Sequence, residues 1–252
     1  MKNLEKVFAA VLVIGNEILS GKTVDKNINY IATRCKKIGI TLKEVRIIAD
    51  DKNDIKKSVL ELANKYDHVF TTGGIGPTHD DITASSIAEA FNDELILHEE
   101  AFQLLKDYYN KSNIDLNESR KKMAYIPKKA DLIYNLVSAA PGFKLKNVWV
   151  MAGVPKIMQS MFKEDIEKRL NKGNPILSKD VKVFKAEGDI AHILEKVVKL
   201  NKDIEIGSYP FFRPPNIGTT VIFSGTNLNK IEKLIKVLCK YLTEDRIHYS
   251  IE

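Results

Sequence analysis

Apolar residues recur along this chain in two rhythms, one of strands and one of helices. Residues 7–14, VFAAVLVI, are apolar throughout, as in a strand buried on both faces. Over 23–38, Val24, Ile28, Ile31, Cys35 and Ile38 keep helical spacing, and Gly39 follows as a stop. Residues 42–48 alternate and predict a strand. Ile55, Val59, Leu62 and Tyr66 then form one helical face, with Asn53 or Asp54 as its cap. Residues 68–72 predict a third strand and 82–91 a third helix. Strand and helix thus alternate three times, which predicts a parallel sheet covered on both faces.

The middle of the chain is less regular. The spacing predicts helices over 99–109 and 117–125, and short strands over 131–135, 143–145 and 148–151. Pro155 opens a helix reaching Leu170, with Ile157, Met158, Met161, Phe162 and Ile166 on its apolar face. The run NKGNP at 171–175 collects turn formers and marks a boundary. Beyond it the pattern predicts strand 181–186, helix 190–200, strand 204–209, loop 210–217, strand 219–223 and helix 228–242. The expected organisation is a domain over 1–172 and a small α+β domain over 176–252.

Composition narrows the class. Length, 44% apolar and 29% charged residues fit a folded globular protein with a substantial core. The apolar run at 7–14 is too short for a membrane span and lacks the layout of a signal peptide, so a cytoplasmic, membrane-free protein is expected. Cys35 and Cys239 are distant and each sits in a helical pattern, against a disulfide framework or zinc knuckle. The net charge is +6, but acids interleave with the lysines. That is a solvated surface, and nucleic acid is not expected as a partner.

The candidate chemistry centres on VFTTGGIGPTHDDIT, residues 69–83. It joins the end of a strand to the start of a helix, where open α/β sheets bind ligands. Gly73, Gly74 and Gly76 permit close backbone approach, and a helix start favours an anion. No Lys-Ser/Thr follows, so this is not a P-loop, and the dinucleotide fingerprint spacing is absent. Asp80 and Asp81 would repel phosphate unless a divalent cation lay between. A capping box with Thr78 as N-cap and Asp81 reaching back explains one aspartate, but neither the other nor the glycines. Three further turns sit beside strand ends: GNEILSG at 15–21 with Asp25 and Asn27, SAAPGF at 138–143, and AGVP at 152–155. Asp50 and Asp51 end the second strand, and one of them reads as a helix cap.

GNEILSG with Asp25 and Asn27, TTGGIGPTHDDIT, APGF and GVP occur in this order in the CinA N-terminal domain, which this chain resembles over nearly its whole length. That domain belongs to the molybdopterin-binding family with the MogA/MoaB-type proteins, and residues 207–212 resemble its small second domain. The same module is similar to part of eukaryotic FAD synthases. The resemblance implies a three-layer α/β sandwich with a mainly parallel sheet, plus the small C-terminal α+β domain. It implies a metal-dependent pyrophosphatase acting on ADP-ribose or FAD, or a protein that binds and adenylylates molybdopterin. A non-catalytic pterin- or nucleotide-binding module is the remaining alternative.

The expected cofactor is Mg, Mn or Co, the ligand a phosphorylated nucleotide or pterin, and the assembly a homo-oligomer, dimer or trimer. Asp81 and Asp80 are the expected catalytic pair, and with Asp25 the metal ligands. Gly73, Gly74, Ile75, Gly76 and Thr78 would cradle phosphate. Asn16, Glu17, Asn27, Pro141, Gly142, Gly153, Val154 and Pro155 would complete the ligand pocket. His79 reads as solvated. The chain departs from the family at Ser138-Ala139, where Gly-Thr is usual, and at Ala152 and Ile157, where proline and glutamate are usual. The amidase domain of full-length CinA is not expected, because the sequence stops short of it.

Overall fold

The computed structural model describes residues 6–213 and 216–251. They form two compact units, divided between Gly173 and Asn174. In the first, β1 (Val7–Ile14) leads through the short α1 (Asn16–Leu19) to α2 (Asn27–Lys37), β2 (Ile40–Ile48), α3 (Lys52–Lys65), β3 (His68–Thr72) and α4 (Thr83–Ala90). Then come β4 (Leu95–Leu97), α5 (Glu99–Lys111), α6 (Glu118–Lys121), β5 (Tyr125–Pro127), β6 (Asp131–Ile133), β7 (Gly142–Leu145) and β8 (Val148–Met151). The last helix is α7 (Pro155–Met161), continued by a π-helical stretch Phe162–Ile166 and a final turn, α8 (Glu167–Arg169).

The sheet order is β2-β1-β3-β8-β7-β6. β2, β1, β3 and β8 run parallel, and β7 and β6 each pair antiparallel with their neighbour. The all-apolar β1 follows from this central position. Ala10, Leu12 and Ile14 pack with Ile55, Val59, Leu62, Ile87 and Leu105 on one face. Ala9, Val11 and Val13 pack with Ile31, Cys35, Met158, Met161 and Phe162 on the other. The architecture is therefore the mainly parallel three-layer sandwich expected. Phe70 and Trp149 are fully buried in the second layer. Each such side chain contributes roughly 1.5–3 kcal/mol by leaving water.

In the second unit, β9 (Leu177–Val183), α9 (Glu187–Lys199), β10 (Glu205–Arg213), β11 (Asn216–Gly225), α10 (Leu228–Glu244) and β12 (Tyr249–Ile251) form an antiparallel sheet ordered β10-β11-β9-β12. Ile190, Ile193 and Val197 of α9 and Ile231, Leu234, Ile235 and Leu238 of α10 share its core with Val181, Val183, Val221 and Phe223.

Several elements differ from the sequence pattern. The predicted helix 117–125 breaks after Lys121 into a tight turn and β5, because β5 finds an antiparallel partner in β4. The predicted loop 210–217 is instead the end of a hairpin, apart from residues 214 and 215, which lie outside the described residues. Pro210 suits β10 because that strand is a sheet edge. The predicted strand 181–186 runs from Leu177 and ends at Val183. The helix predicted from 23 begins at Asn27, since Asp25 Oδ1 accepts from the Ile28 N–H at 2.8 Å.

His68 is buried between Phe70 and Trp149, and its Nδ1 accepts from Trp149 Nε1 at 3.3 Å. Burial holds its pKa below the usual histidine value, with Lys144 acting in the same sense and Asp67 opposing. The unfolded chain then binds the proton more readily, so stability is complete above about pH 6.5 and falls as pH drops below it. Thermal melts at pH 7 and pH 5 should show a larger loss for the wild type than for His68→Gln. Equal losses would remove His68 as the cause.

Candidate functional site

The parallel strands end at a topological switch point. β2 lies on one side of β1, while β3 and β8 lie on the other. Such a crevice, at the carboxyl ends of β1 and β3, is where open α/β sheets take ligands. Gly73 follows β3 there with φ 106°, its N–H donating to Met151 O at 3.1 Å. A Cβ at Gly73 would stand 2.1 Å from the Ile14 carbonyl, and one at Gly153 would stand 3.3 Å from Gly73 Cα. The ends of β1, β3 and β8 therefore meet at Gly73, backbone against backbone.

Gly74 has φ 67°, and a Cβ there would lie 2.1 Å from Thr83 Oγ1. Its carbonyl accepts from the Thr83 N–H at 3.0 Å, which ties the loop to the first residue of α4. Between these points the acidic turn folds on itself. Asp81 Oδ2 accepts from the Thr78 N–H at 2.8 Å and lies 2.6 Å from Thr78 Oγ1, and the same hydroxyl reaches Asp80 Oδ1. Two carboxylates thus converge on one hydroxyl. The Asp81 carboxylate also lies over Gly76, where a Cβ would come within 2.7 Å of it. The Thr78 hydroxyl holds the Asp80 carboxyl below the usual aspartate range, aided by its own backbone and by the charges of His79 and Lys122.

Only half of the expected capping box forms: Asp81 Oδ2 accepts from the Thr78 N–H, but the Asp81 N–H meets the Thr78 carbonyl rather than its hydroxyl, and the turn does not cap α4. That helix starts at Thr83 with Ile82 in the cap position and no side-chain cap bond. The turn is a separate knot ahead of the helix.

The other predicted residues sort into two groups. Asn27 is 3% exposed, and its Nδ2 donates to Gly153 O at 2.8 Å, so it clamps the GVP turn rather than capping α2. Its Oδ1 is buried without a hydrogen-bond partner, as are the hydroxyls of Thr72 and Thr83. Pro141 lines a small cavity of about 50 Å³ together with Gly74, Ile75, Gly76 and Asp81. Gly142 is required where β7 meets β8, a Cβ there falling 2.2 Å from Val150 O. Val154 and Pro155 open α7.

The second group is held by local bonds. The Asn16 N–H donates to Asp50 Oδ2 at 2.8 Å, Glu17 folds back over Gly15, and Asp25 accepts from the Ile28 N–H in the first turn of α2, whose cap position is Lys26. Asp51, not Asn53 or Asp54, caps α3. Asp25 is not gathered with Asp80 and Asp81. Among the described residues no group of three or more His, Cys, Asp or Glu side chains is placed to hold a metal ion. Asp80 and Asp81 alone offer an oxygen donor pair, which fits a hard cation that takes its remaining ligands from phosphate and water.

Two long-range or loop-organising contacts are not visible in the sequence, one at Asn135 and one at Lys122 of the basic stretch 120–122. Asn135 is 7% exposed and organises the SAAPGF loop, its Nδ2 donating to Ser138 Oγ and Ala140 O and its Oδ1 accepting from the Val137 N–H. Lys122 reaches the acidic turn from 44 positions away in the chain, donating to Thr78 O. Neither has a local signal, because each contact is made by the fold. Ile157 packs against the apolar layer of α2 and α7.

Residues 10–172 match the family described as probable molybdopterin binding domain, and 175–250 match the middle domain of FAD synthase. The chain belongs to the molybdopterin-binding family. It is 37% identical over 237 residues to a protein of Archaeoglobus fulgidus, covering 94% of this chain and 98% of that one. A Pyrococcus furiosus protein is 34% identical over 216 residues, 81% of this chain and 85% of that one. The crystal structure of the protein CinA, of unknown function, from Thermoplasma acidophilum is 32% identical with TM-score 0.60, covering 66% of this chain and 99% of that chain. The resemblance carried by the four sequence motifs therefore holds. Among the described residues no helix is long and apolar enough to cross a membrane.

Proposed function

We propose that this protein is a metal-dependent nucleotide pyrophosphatase of the CinA N-terminal type, acting on ADP-ribose or FAD-like dinucleotides. The observation that carries the reading is the pair of carboxylates, Asp80 and Asp81, joined through Thr78, with Asp81 lying over Gly76 at the sheet's switch point. The glycine backbone and the uncapped start of α4 would receive the phosphate oxygens. Asp80 and Asp81 would hold a divalent cation, which when bound neutralises phosphate charge and makes a water more acidic. Asp81 is the residue assigned to metal binding or to accepting the proton of the attacking water. Water adds to one phosphorus, the bridging P–O bond breaks, and AMP leaves with a second phosphomonoester.

The matched family description favours a second reading, molybdopterin binding, to which the resemblance to MogA-type proteins would add adenylyl transfer. The two part in one assay. Chelator-stripped protein is incubated with ADP-ribose, FAD, NAD and ATP, with and without Mg²⁺, Mn²⁺ or Co²⁺, and the nucleotides are resolved by chromatography. AMP from ADP-ribose or FAD, formed only with metal, is the expected result. No turnover, with binding of a pterin or nucleotide retained, would replace it with the molybdenum-cofactor or binding-module reading.

A further inference from the structure

The acidic turn has a basic partner that its own sequence does not contain. Lys122 lies in the tight turn Lys122–Ala124 between α6 and β5. Its root is fixed: Ala124 is fully buried in the core and its carbonyl accepts from the His98 N–H, and β5 pairs with β4. From there the ammonium crosses to the carbonyl of Thr78, donating at 2.5 Å. Among the described residues it forms no ion pair, in contrast to its neighbour Lys121, which meets Glu118. Lys122 also lines the cavity that holds Gly74, Gly76 and Asp81, and is the only basic side chain there among the described residues.

A neutral carbonyl is a weak partner for a charged amine beside two carboxylates. A phosphoryl oxygen in the same cavity is a stronger one, because both donor and acceptor are then ionised. We propose that Lys122 is a catalytic residue of this site: its ammonium moves from the Thr78 carbonyl to a non-bridging oxygen of the phosphoryl group under attack. Lys122 stays protonated throughout and contributes charge, while water supplies the oxygen and the proton balance described above. The proposal rests on the pyrophosphatase reading.

Three variants separate charge from hydrogen bonding. Lys122→Arg keeps the charge, Lys122→Gln keeps a donor for the Thr78 carbonyl without charge, and Lys122→Met keeps neither. Metal-dependent release of AMP from ADP-ribose should fall about 10²-fold in kcat/KM for both Met and Gln, the usual effect of removing one preorganised donor at a developing anion. Arg should remain within about tenfold of the wild type. Wild-type rates in Lys122→Gln would make the residue a structural donor and overturn the proposal, as would wild-type rates in Lys122→Met.

Should the wild type release no AMP, the pyrophosphatase reading fails by itself. Lys122 is then read through calorimetric binding of inorganic pyrophosphate with Mn²⁺. Weakening of about tenfold in Met and Gln, but not in Arg, supports the anion contact. Unchanged affinity in Met overturns it.

Discussion

Replacing Asp81 by Asn should lower metal-dependent AMP release about 10³-fold while leaving the chain folded. The magnitude is that of losing a group that positions or deprotonates the attacking water. The fold is spared because the carboxamide oxygen can still accept from the Thr78 N–H, the bond Asp81 Oδ2 makes at 2.8 Å. Only a partly exposed, charge-assisted bond weakens, worth about 1 kcal/mol. Asp80→Asn should cost less, since Asp80 touches the Thr78 hydroxyl while the carboxylate nearest a Cβ at Gly76 is that of Asp81. The measurements are AMP release at saturating Mn²⁺, a Mn²⁺ titration and a thermal melt for each variant. Undiminished turnover in Asp81→Asn would remove it from the chemistry.

Gly73→Ala acts on the scaffold. The new methyl would stand 2.1 Å from the Ile14 carbonyl, and that oxygen belongs to the backbone at the end of β1, between β2 and β3. It cannot swing aside as a side-chain tip would. The residue also has φ 106°, a region alanine avoids. Together these should destabilise the first unit by about 3–5 kcal/mol. At about 2–4 °C per kcal/mol for a unit of this size, its melting temperature should fall by about 10 °C. Gly21→Ala is the control: Gly21 has φ 73° but open space around it, so only the backbone term of about 1–2 kcal/mol applies. Similar melts for the two variants would mean that the close approach at Gly73 is not rigid.

The layered core was legible because burial on two faces leaves a plain trace. An all-apolar β1 and the helical stripes of α2 and α3 cannot be satisfied without a sheet covered on both sides. Short elements left no such trace. β4 and β12 have three residues each and exist only through their partners β5 and β9. α1 is a single turn after Gly15. The acidic turn was legible as a cluster, since Thr78, Asp80 and Asp81 are neighbours in sequence. What the cluster touches was not: Asn27 meets Gly153 across 126 positions and Lys122 meets Thr78 across 44. Asn27 could be read as a cap because helix starts favour asparagine, yet its amide is used for long-range clamping.

The order of the strands also sets a schedule for synthesis. β3 is buried along its whole length, but only one of its two flanks is lined by a strand that precedes it, β1. The other flank waits for β8, whose Val148 pairs with Val69. At roughly 5–20 residues per second, the nascent chain needs about 4–16 s to make that stretch. Throughout it, the apolar edge of a half-built sheet stands open to other chains. Slowing elongation over this interval, or raising the temperature during it, should therefore increase aggregation of new protein far more than the same treatment of the finished molecule.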